Sequence, residues 1–380
     1  MFDDVVCLSH LRWGFVFQRP NHLMIRCARD RRVFYVEEPV FDAAEPRMDV
    51  DRIEGGLHVA VPHLPPGTAR DAIDRVLTAL VQQLVARAQV KRPLLWLYTP
   101  MALPMARGIS ASGLVYDCMD ELSNLHAAPS ELRQREGELF AVADIVFTGG
   151  PSLYEAKRSR HPRVYPFPSS VDFAHFATAR SALLDPADQA SIPHPRIGYF
   201  GVVDERLDLP LIDGIAAKRP DMHLVLVGPV AKIDPAHLPR RRNIHWLGQR
   251  HYSELPAYVS GWDVAFMPFA RNDATKFISP TKTLEYLAAG RPVVSTSIRD
   301  VVQPYGAENL VRIADEPRAF IAAIDAALAD RETPSAVKHA RARDAMLAQT
   351  SWDRTWARMH ALVHEALRRR APLHARTADA

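Results

Sequence analysis

The feature that most limits how this 380-residue chain can fold is an alternation of short apolar runs with longer amphipathic stretches, which stops once and then resumes. Val5–Leu8 reads as a buried strand, and Pro20 opens a helix that carries Leu23, Met24 and Ile25 to Ala28. A proline suits that place because its missing N–H costs little in a first turn. Val33–Val36, Leu94–Tyr98, Leu114–Tyr116 and Ile145–Thr148 read as further strands, with helices over Asp71–Ala88 and Glu131–Val142. Strands joined by crossovers of this length predict a parallel sheet covered by helices on both faces.

Asp172–Pro195 breaks the rhythm and ends in Ile192-Pro193-His194-Pro195, an extended segment because residues before prolines avoid the helical region. Strand patterns then return at Arg196–Phe200, Leu224–Val227, Ile244–Trp246, Val264–Met267 and Val293–Ser295. The fold class is therefore α/β, with two doubly wound, Rossmann-like domains expected over 1–185 and 186–350. Two domains also suit the length, at roughly 100–200 residues each. A separate helix is expected over 351–370, with Ser351 as its cap and Trp352, Trp356 and Met359 on one face. The tail 371–380 lacks a core-forming pattern and is expected to fray.

Charge excludes some functions. The 47 basic and 44 acidic residues leave a formal net charge of +3, and no strand alternates basic with aromatic residues, so no nucleic-acid partner is expected. Cys7, Cys27 and Cys118 are three in number and far apart, which gives neither a disulfide framework nor a zinc site. The histidines are read as forming neither an H-x-x-x-H nor an H-E-x-x-H arrangement, and no metal is expected. The chain opens Met-Phe-Asp-Asp, acidic where a signal peptide is basic. No stretch reaches the ~20 apolar residues of a spanning helix, so a cytoplasmic address is expected.

The chemistry concentrates in Phe277–Ser295, which reads as loop, helix, tight turn and strand. Pro280 suits a first helical position, and Gly290 the left-handed residue that ends the helix. Amides around Ser279, Thr281 and Thr283, at the positive end of the helix dipole, form a place for a phosphate. Lys282 adds a full charge there. Glu285, one turn on, is positioned to accept from hydroxyls of a ligand held at that end. The plainer alternative is a solvated Lys282–Glu285 pair of little energetic weight. Met267-Pro268-Phe269 and the polar loop Ala270–Lys276 precede the helix, and in such sheets ligands bind at carboxyl ends of strands.

The run Glu285-Tyr-Leu-Ala-Ala-Gly-Arg-Pro-Val-Val294 resembles the signature of retaining GT-B glycosyltransferases of the large family-four group, in which this glutamate contacts the donor ribose. Ile197–Gly201, Leu224–Pro229, Trp246–Gly248 with Tyr252–Leu255, and Ser351–Trp356 resemble other parts of the same family. The resemblance implies two domains facing a cleft, with the helix 351–370 crossing back to pack on the first. It implies transfer of a sugar from a nucleoside-diphosphate sugar, with retention; no cofactor is expected, and no metal, because no ligand cluster for a divalent ion is visible in the sequence. Donor contacts would come from Gly201, Gly228, Pro229, Ser279, Thr281, Lys282, Thr283 and Glu285, with Arg206 and Lys282 stabilising the leaving diphosphate. Three departures stand out: Phe277 replaces a second glutamate, Arg206 is out of register with the family's basic pair, and Arg12–His22 replaces its Gly-Gly loop.

In the first half, Asp117, Asp120 and Glu121 follow a strand end, where a carboxylate suits orienting an acceptor hydroxyl or taking its proton. Helix capping is the competing role for Asp120. Trp13 and Arg19 suit a sugar face and a phosphate, and His22 lies near a helix start, where packing competes with acceptor contact. Asp49-Val-Asp51 reads as a surface turn rather than a metal site. Arg19, Arg26, Arg29, Arg31 and Arg32, with Phe15 and Phe17, suggest peripheral contact with the inner membrane leaflet, at about 1 kcal/mol per basic residue near anionic lipid. A glycan or lipid-linked acceptor, in cell-envelope polysaccharide synthesis, is the expectation. The rivals are a GT-B sugar-nucleotide epimerase and a catalytically silent sugar-nucleotide-binding or scaffold protein. Gly198-Tyr-Phe-Gly201 is not G-x-G-x-x-G, which argues against a nicotinamide dehydrogenase.

Overall fold

Nine strands of the first half form one sheet: β1 Asp4–Leu8, β2 Arg32–Val36, β3 Val40–Phe41, β4 Arg47–Arg52, β5 Leu57–Leu64, β6 Leu94–Leu97, β7 Gly113–Cys118, β8 Ile145–Thr148 and β9 Val164–Pro166. Their order is β3-β5-β2-β1-β6-β7-β8-β9, with β4 on β5. Only the β4–β5 pairing is antiparallel. A second sheet holds β10 Arg196–Phe200, β11 His223–Val227, β12 Ile244–Gly248, β13 Val264–Met267, β14 Val293–Ser295 and β15 Arg312–Ile313, in the order β12-β11-β10-β13-β14-β15. The computed structural model describes residues 2–330 and 333–369, so the expected fraying of 371–380 lies outside the described residues.

Contacts divide the chain into two units. The first takes in the chain up to Ser123, Ala127–Pro168 and the part from Asp353 on; the second takes in Asn124–His126 and Ser169–Trp352. The division thus falls at Pro168/Ser169 and not at 185/186, because the strandless segment packs on the second unit. Phe176 stacks on Phe200 at 5.7 Å, Arg180 Nε donates to the Ala288 carbonyl at 2.7 Å, and Gln189 accepts from the Trp262 indole at 2.8 Å. Trp262 itself lies against mid-strand Gly198, where any Cβ would meet its ring at 1.8 Å.

Central strands are buried end to end, as β1, β6, β8, β10 and β13 show. This is the pattern of parallel strands covered on both faces. The outer strands are less covered, β4 least of all, and it corrects the reading of Asp49 and Asp51 as a turn. Both lie on this exposed edge strand, and Asp49 meets the His63 ring at 3.3 Å. In the first unit, the helix Trp352–Arg368 buries Met359, Val363 and Ala366, and its Trp356 ring lies 6.0 Å from Trp96.

That helix also changes the meaning of the arginine cluster. Asp353 takes Arg26 at 3.0 Å and Arg29 at 2.7 Å. His360 takes Arg31 at 2.9 Å, and Asp4 takes Arg32 at 2.7 Å. The expected basic stripe is a set of pairs within the chain, with Arg29 and Arg32 still on the surface. His360 and His364, one helical turn apart, also meet Nε2 to Nε2 at 2.9 Å, a spacing that the motif reading of the histidines overlooked. No group of three or more metal-ligating side chains occurs among the described residues. Nor is any helix among them long and apolar enough to cross a membrane.

Candidate active site

In the second sheet β10 lies between β11 and β13, so the connections leaving β10 and β13 run to opposite sides. This switch point is where doubly wound sheets bind ligands, outside the carboxyl ends of the strands. Three loops meet there through their backbones. Gly201 N–H donates to the Val227 carbonyl and Gly228 N–H to the Gly248 carbonyl, both at 2.8 Å. Val203 N–H donates to the Pro229 carbonyl at 2.9 Å, and Ala270 N–H to the Arg206 carbonyl at 2.8 Å. The approach needs glycines. Gly201 has φ 139° and Gly228 φ 148°, and a Cβ on Gly228 would stand 2.0 Å from the Gly201 carbonyl oxygen.

The helix Thr281–Ala288 brings its first turn to these loops. Tyr286 fixes it: its hydroxyl accepts from Phe200 N–H at 2.9 Å, at the end of β10. One turn earlier, Lys282 lies across Gly201, with its Cε 2.1 Å and its Nζ 2.6 Å from where a Cβ on that glycine would be. The ammonium stands 5.6 Å from the centre of the Tyr199 ring. Pro280 is the residue before the helix rather than its first member, and Gly290 adopts the expected left-handed φ of 76°. Ser169 ties the approach to the helix, donating to the Ser279 carbonyl at 3.0 Å and accepting from the Thr281 hydroxyl at 2.9 Å.

Glu285 is buried at 5 % exposure. Desolvation pushes its carboxyl up to about 7, against the pull of Lys282, which lowers it. A carboxyl poised there is ready to ionise when a ligand supplies donors. Two expected donor contacts do not hold as drawn. Thr283 is fully buried, its hydroxyl directed at Met267 Sδ at 3.5 Å and its N–H at the Pro280 carbonyl; it is part of the core. Arg206 forks onto Asp204, at 2.7 Å between Nη2 and Oδ2, so any phosphate has to compete with that carboxylate. Tyr286, Tyr199, Ser169 and Asp204 escaped the sequence reading. Of these, Tyr286 alone had a signal, as the aromatic neighbour of Glu285 on a short amphipathic helix.

In the first unit the expected acceptor residues separate. Asp117 and Arg19 are 0 % and 2 % exposed. Arg19 Nη2 and Nε donate to Asp117 at 2.9–3.2 Å, and Nη1 donates to the Phe167 carbonyl at 2.6 Å. The pair is internal, which corrects the assignment of a proton acceptor and a phosphate ligand. Burial raises the Asp117 carboxyl, while Arg19 pulls it down. Removing one partner of such a pair strands the other's charge, at about 3–5 kcal/mol. Asp117→Asn is therefore expected to lower the melting temperature of the first unit, seen by circular dichroism. Wild-type melting with transfer reduced a hundredfold would return Asp117 to the chemistry.

Glu121 is held by Lys157 at 2.5 Å and by the Ser123 hydroxyl at 2.8 Å. Lys157 also bonds the buried Glu136 at 2.8 Å. His22 is buried, edge-on to Phe17 at 4.7 Å. Trp13 N–H donates to Glu37 at 2.7 Å, and its ring meets Tyr35 edge-on at 5.0 Å. Asp120, the third of the expected carboxylates, lies half-buried just beyond β7.

Residues 195–330, which contain this constellation, match the family model described as Glycosyl transferases group 1. The chain is 28% identical over 281 residues to a protein of Bacillus subtilis named as a teichuronic acid biosynthesis glycosyltransferase, TuaH; the match covers 66% of this chain and 68% of that one. Among solved structures, the sucrose-phosphate synthase of Thermosynechococcus elongatus aligns over 96% of this chain and 98% of its own, at 17% identity and a TM-score of 0.69. Anabaena HepE, solved with UDP and glucose, aligns over 96% and 100%, at 16% identity and a TM-score of 0.65. The fold is GT-B, and residues 195–330 of the second unit are similar to a group 1 glycosyltransferase domain. The chain is a glycosyltransferase.

Proposed function

We propose that the chain is a hexosyltransferase that moves a sugar from a nucleoside-diphosphate sugar to a cell-envelope glycan, with retention at the anomeric carbon and without metal. The observation that carries the donor class is Lys282 lying across Gly201 at the switch point, with buried Glu285 one turn behind. The bond from the anomeric carbon to the diphosphate breaks, and a bond to an acceptor oxygen forms. Charge develops on the leaving diphosphate, where a preorganised ammonium and helix-end amides stabilise it. Glu285 accepts from ligand hydroxyls, the ribose being the natural candidate. The acceptor proton has to leave, and Asp120, half-buried just beyond β7, is the carboxylate assigned to it here. Retention rests on the resemblance of 285–294 to retaining enzymes. The cell-envelope acceptor rests on the likeness to the teichuronic acid protein.

Transfer assayed in EDTA, with the product's anomeric configuration read by NMR, tests this reading. Full activity in EDTA and a product that keeps the donor's configuration are expected. Activity that collapses in EDTA and returns with magnesium or manganese contradicts the metal-free part, and an inverted product contradicts retention.

Peripheral attachment to an anionic leaflet, with a lipid-linked acceptor, is the finer reading of the same activity. Its expected carriers are engaged: Arg19 with Asp117, Arg26 and Arg29 with Asp353, and Arg32 with Asp4. Exposed Phe15 and Phe41 in the first unit add an apolar contribution, while Arg29 and Arg32, though on the surface, have their charge offset by a carboxylate. In liposome sedimentation at low salt, equal recovery with neutral and anionic vesicles is therefore expected. Recovery that rises with anionic lipid would restore the electrostatic attachment.

A further inference from the structure

We propose that two copies of this chain pair through β4, antiparallel across a two-fold axis, so that the first sheet continues into that of a second copy. β4 is an outer edge. On one side of β5 the carbonyls of Gly56, Ala60 and Leu64 accept from Val33, Glu37 and Ala43 N–H at 2.8, 3.0 and 3.2 Å, which puts β2 and β3 on that side. On the other side the Leu57 carbonyl accepts from Ile53 N–H at 3.0 Å, just past the end of β4. Main-chain groups alternate in direction along an antiparallel strand. With Ile53 turned toward β5, Asp51, Asp49 and Arg47 turn the same way. Met48, Val50 and Arg52 then present their N–H and C=O groups outward. No strand among the described residues takes them, and every residue of β4 except Met48 is exposed.

Charge selects the occupant and the register. Outward groups meet outward groups when Val50 lies opposite Met48, Val50 or Arg52 of the second copy. In the first register Arg47 stands opposite Asp51 at both ends of the pairing. Asp49 meets its counterpart at the axis, each beside its own Arg47 at 3.2 Å and His63 at 3.3 Å. The second register sets Asp49 against Asp51 twice, and the third sets Asp51 against itself and leaves Arg47 outside the pairing. Opposite charges across a sheet stabilise it and like charges destabilise it, which favours the first. Charged residues commonly guard an edge against pairing, but a guard repels in every register, and Arg-Met-Asp-Val-Asp-Arg attracts in one. The match is to the same sequence running the other way, so the partner is a second copy. Apolar contact adds to it on the opposite face. Met48 packs toward Leu77 and Leu80, Val50 beside it is 42 % exposed, and both line a groove of about 490 Å³ with Phe34 and Leu84. In the first register Met48 of each copy covers Val50 of the other.

Sedimentation velocity on the full-length chain, over a series of concentrations, is expected to show monomer giving way to dimer. Asp51→Arg, at an exposed position, sets arginine against Arg47 and is expected to weaken the dimer at least tenfold. Adding Arg47→Asp restores opposite charges and is expected to restore the dimer, which a folding defect would not allow. Disulfide formation between introduced cysteines reads the register, since Cys7, Cys27 and Cys118 are buried. Asp49→Cys is expected to give a covalent dimer on air oxidation, because facing residues of a non-hydrogen-bonded pair have Cα atoms about 4.5 Å apart. Val50→Cys is expected to give none, because diagonal neighbours stand about 7–8 Å apart, beyond the reach of a disulfide. A chain that stays monomeric throughout overturns the proposal. So does a dimer indifferent to Asp51→Arg, or cross-linking through Val50→Cys in place of Asp49→Cys.

Discussion

Gly201→Ala is expected to reduce transfer about as severely as Lys282→Ala, by roughly 10²–10³ in kcat, the cost of removing one preorganised group that stabilises developing charge. The added methyl would stand 2.1 Å from Lys282 Cε and 2.6 Å from Nζ. The flexible lysine yields before the backbone does, so its ammonium leaves the place where a leaving diphosphate would need it. A φ of 139° adds strain of about 1–3 kcal/mol for any residue with a side chain. The two substitutions remove one function, so the double variant should be little worse than either single one. Steady-state kinetics of the three variants, with melting curves, check this. Near-normal kcat in Gly201→Ala, with only stability lost, would make the glycine structural and leave Lys282 without its assigned position.

Glu285→Gln carries the second large effect, and its two readouts move in opposite directions. Donor-nucleotide affinity should fall about tenfold to a hundredfold, the 1.5–3 kcal/mol of a hydrogen bond to a charged group. Stability of the unliganded protein should rise at alkaline pH. The carboxyl is raised from 4.5 to about 7 in the folded chain, so its contribution is fully present below the unfolded value and is lost as pH climbs through 7. That difference corresponds to about 3 kcal/mol at 1.36 kcal/mol per pKa unit. The glutamine has no charge to bury. Melting at pH 8 should therefore favour Glu285→Gln by several degrees, with near equality at pH 5. Equal melting at both values, or unchanged nucleotide affinity by calorimetry, would contradict the role given to Glu285.

The donor half was largely legible in the sequence because its chemistry is local. Lys282, Glu285 and Gly290 lie on one short helix, and the glycines after β10 and β11 sit where the strand pattern ends. What was not legible depends on distant partners. Asp117 looked like a base until Arg19, 98 positions away, closed on it. The arginine cluster looked like a membrane face until Asp353, 327 and 324 positions from its two arginines, took both. Charge and residue type were right in each case; the partner was not legible, because pairing across such distances in the chain is a property of packing. β4 escaped for a simpler reason. Arg-Met-Asp-Val-Asp-Arg is an exposed edge strand, with no buried face to impose an apolar period. The boundary was misplaced because Phe176 and Gln189 fix a strandless segment to the second unit through single side chains, which leave no periodic mark.

The central claim is that the first turn of the Thr281–Ala288 helix, over Gly201, handles the diphosphate of a sugar donor. The most direct measurement is release of nucleoside diphosphate from a panel of UDP-, GDP-, ADP- and dTDP-sugars, comparing the wild-type protein with Lys282→Ala. At least one donor should yield nucleoside diphosphate with the wild-type protein, and that release should fall by about two to three orders of magnitude in Lys282→Ala. Release that is equal in the two proteins, or none from any donor even with a glycan acceptor present, would contradict the account.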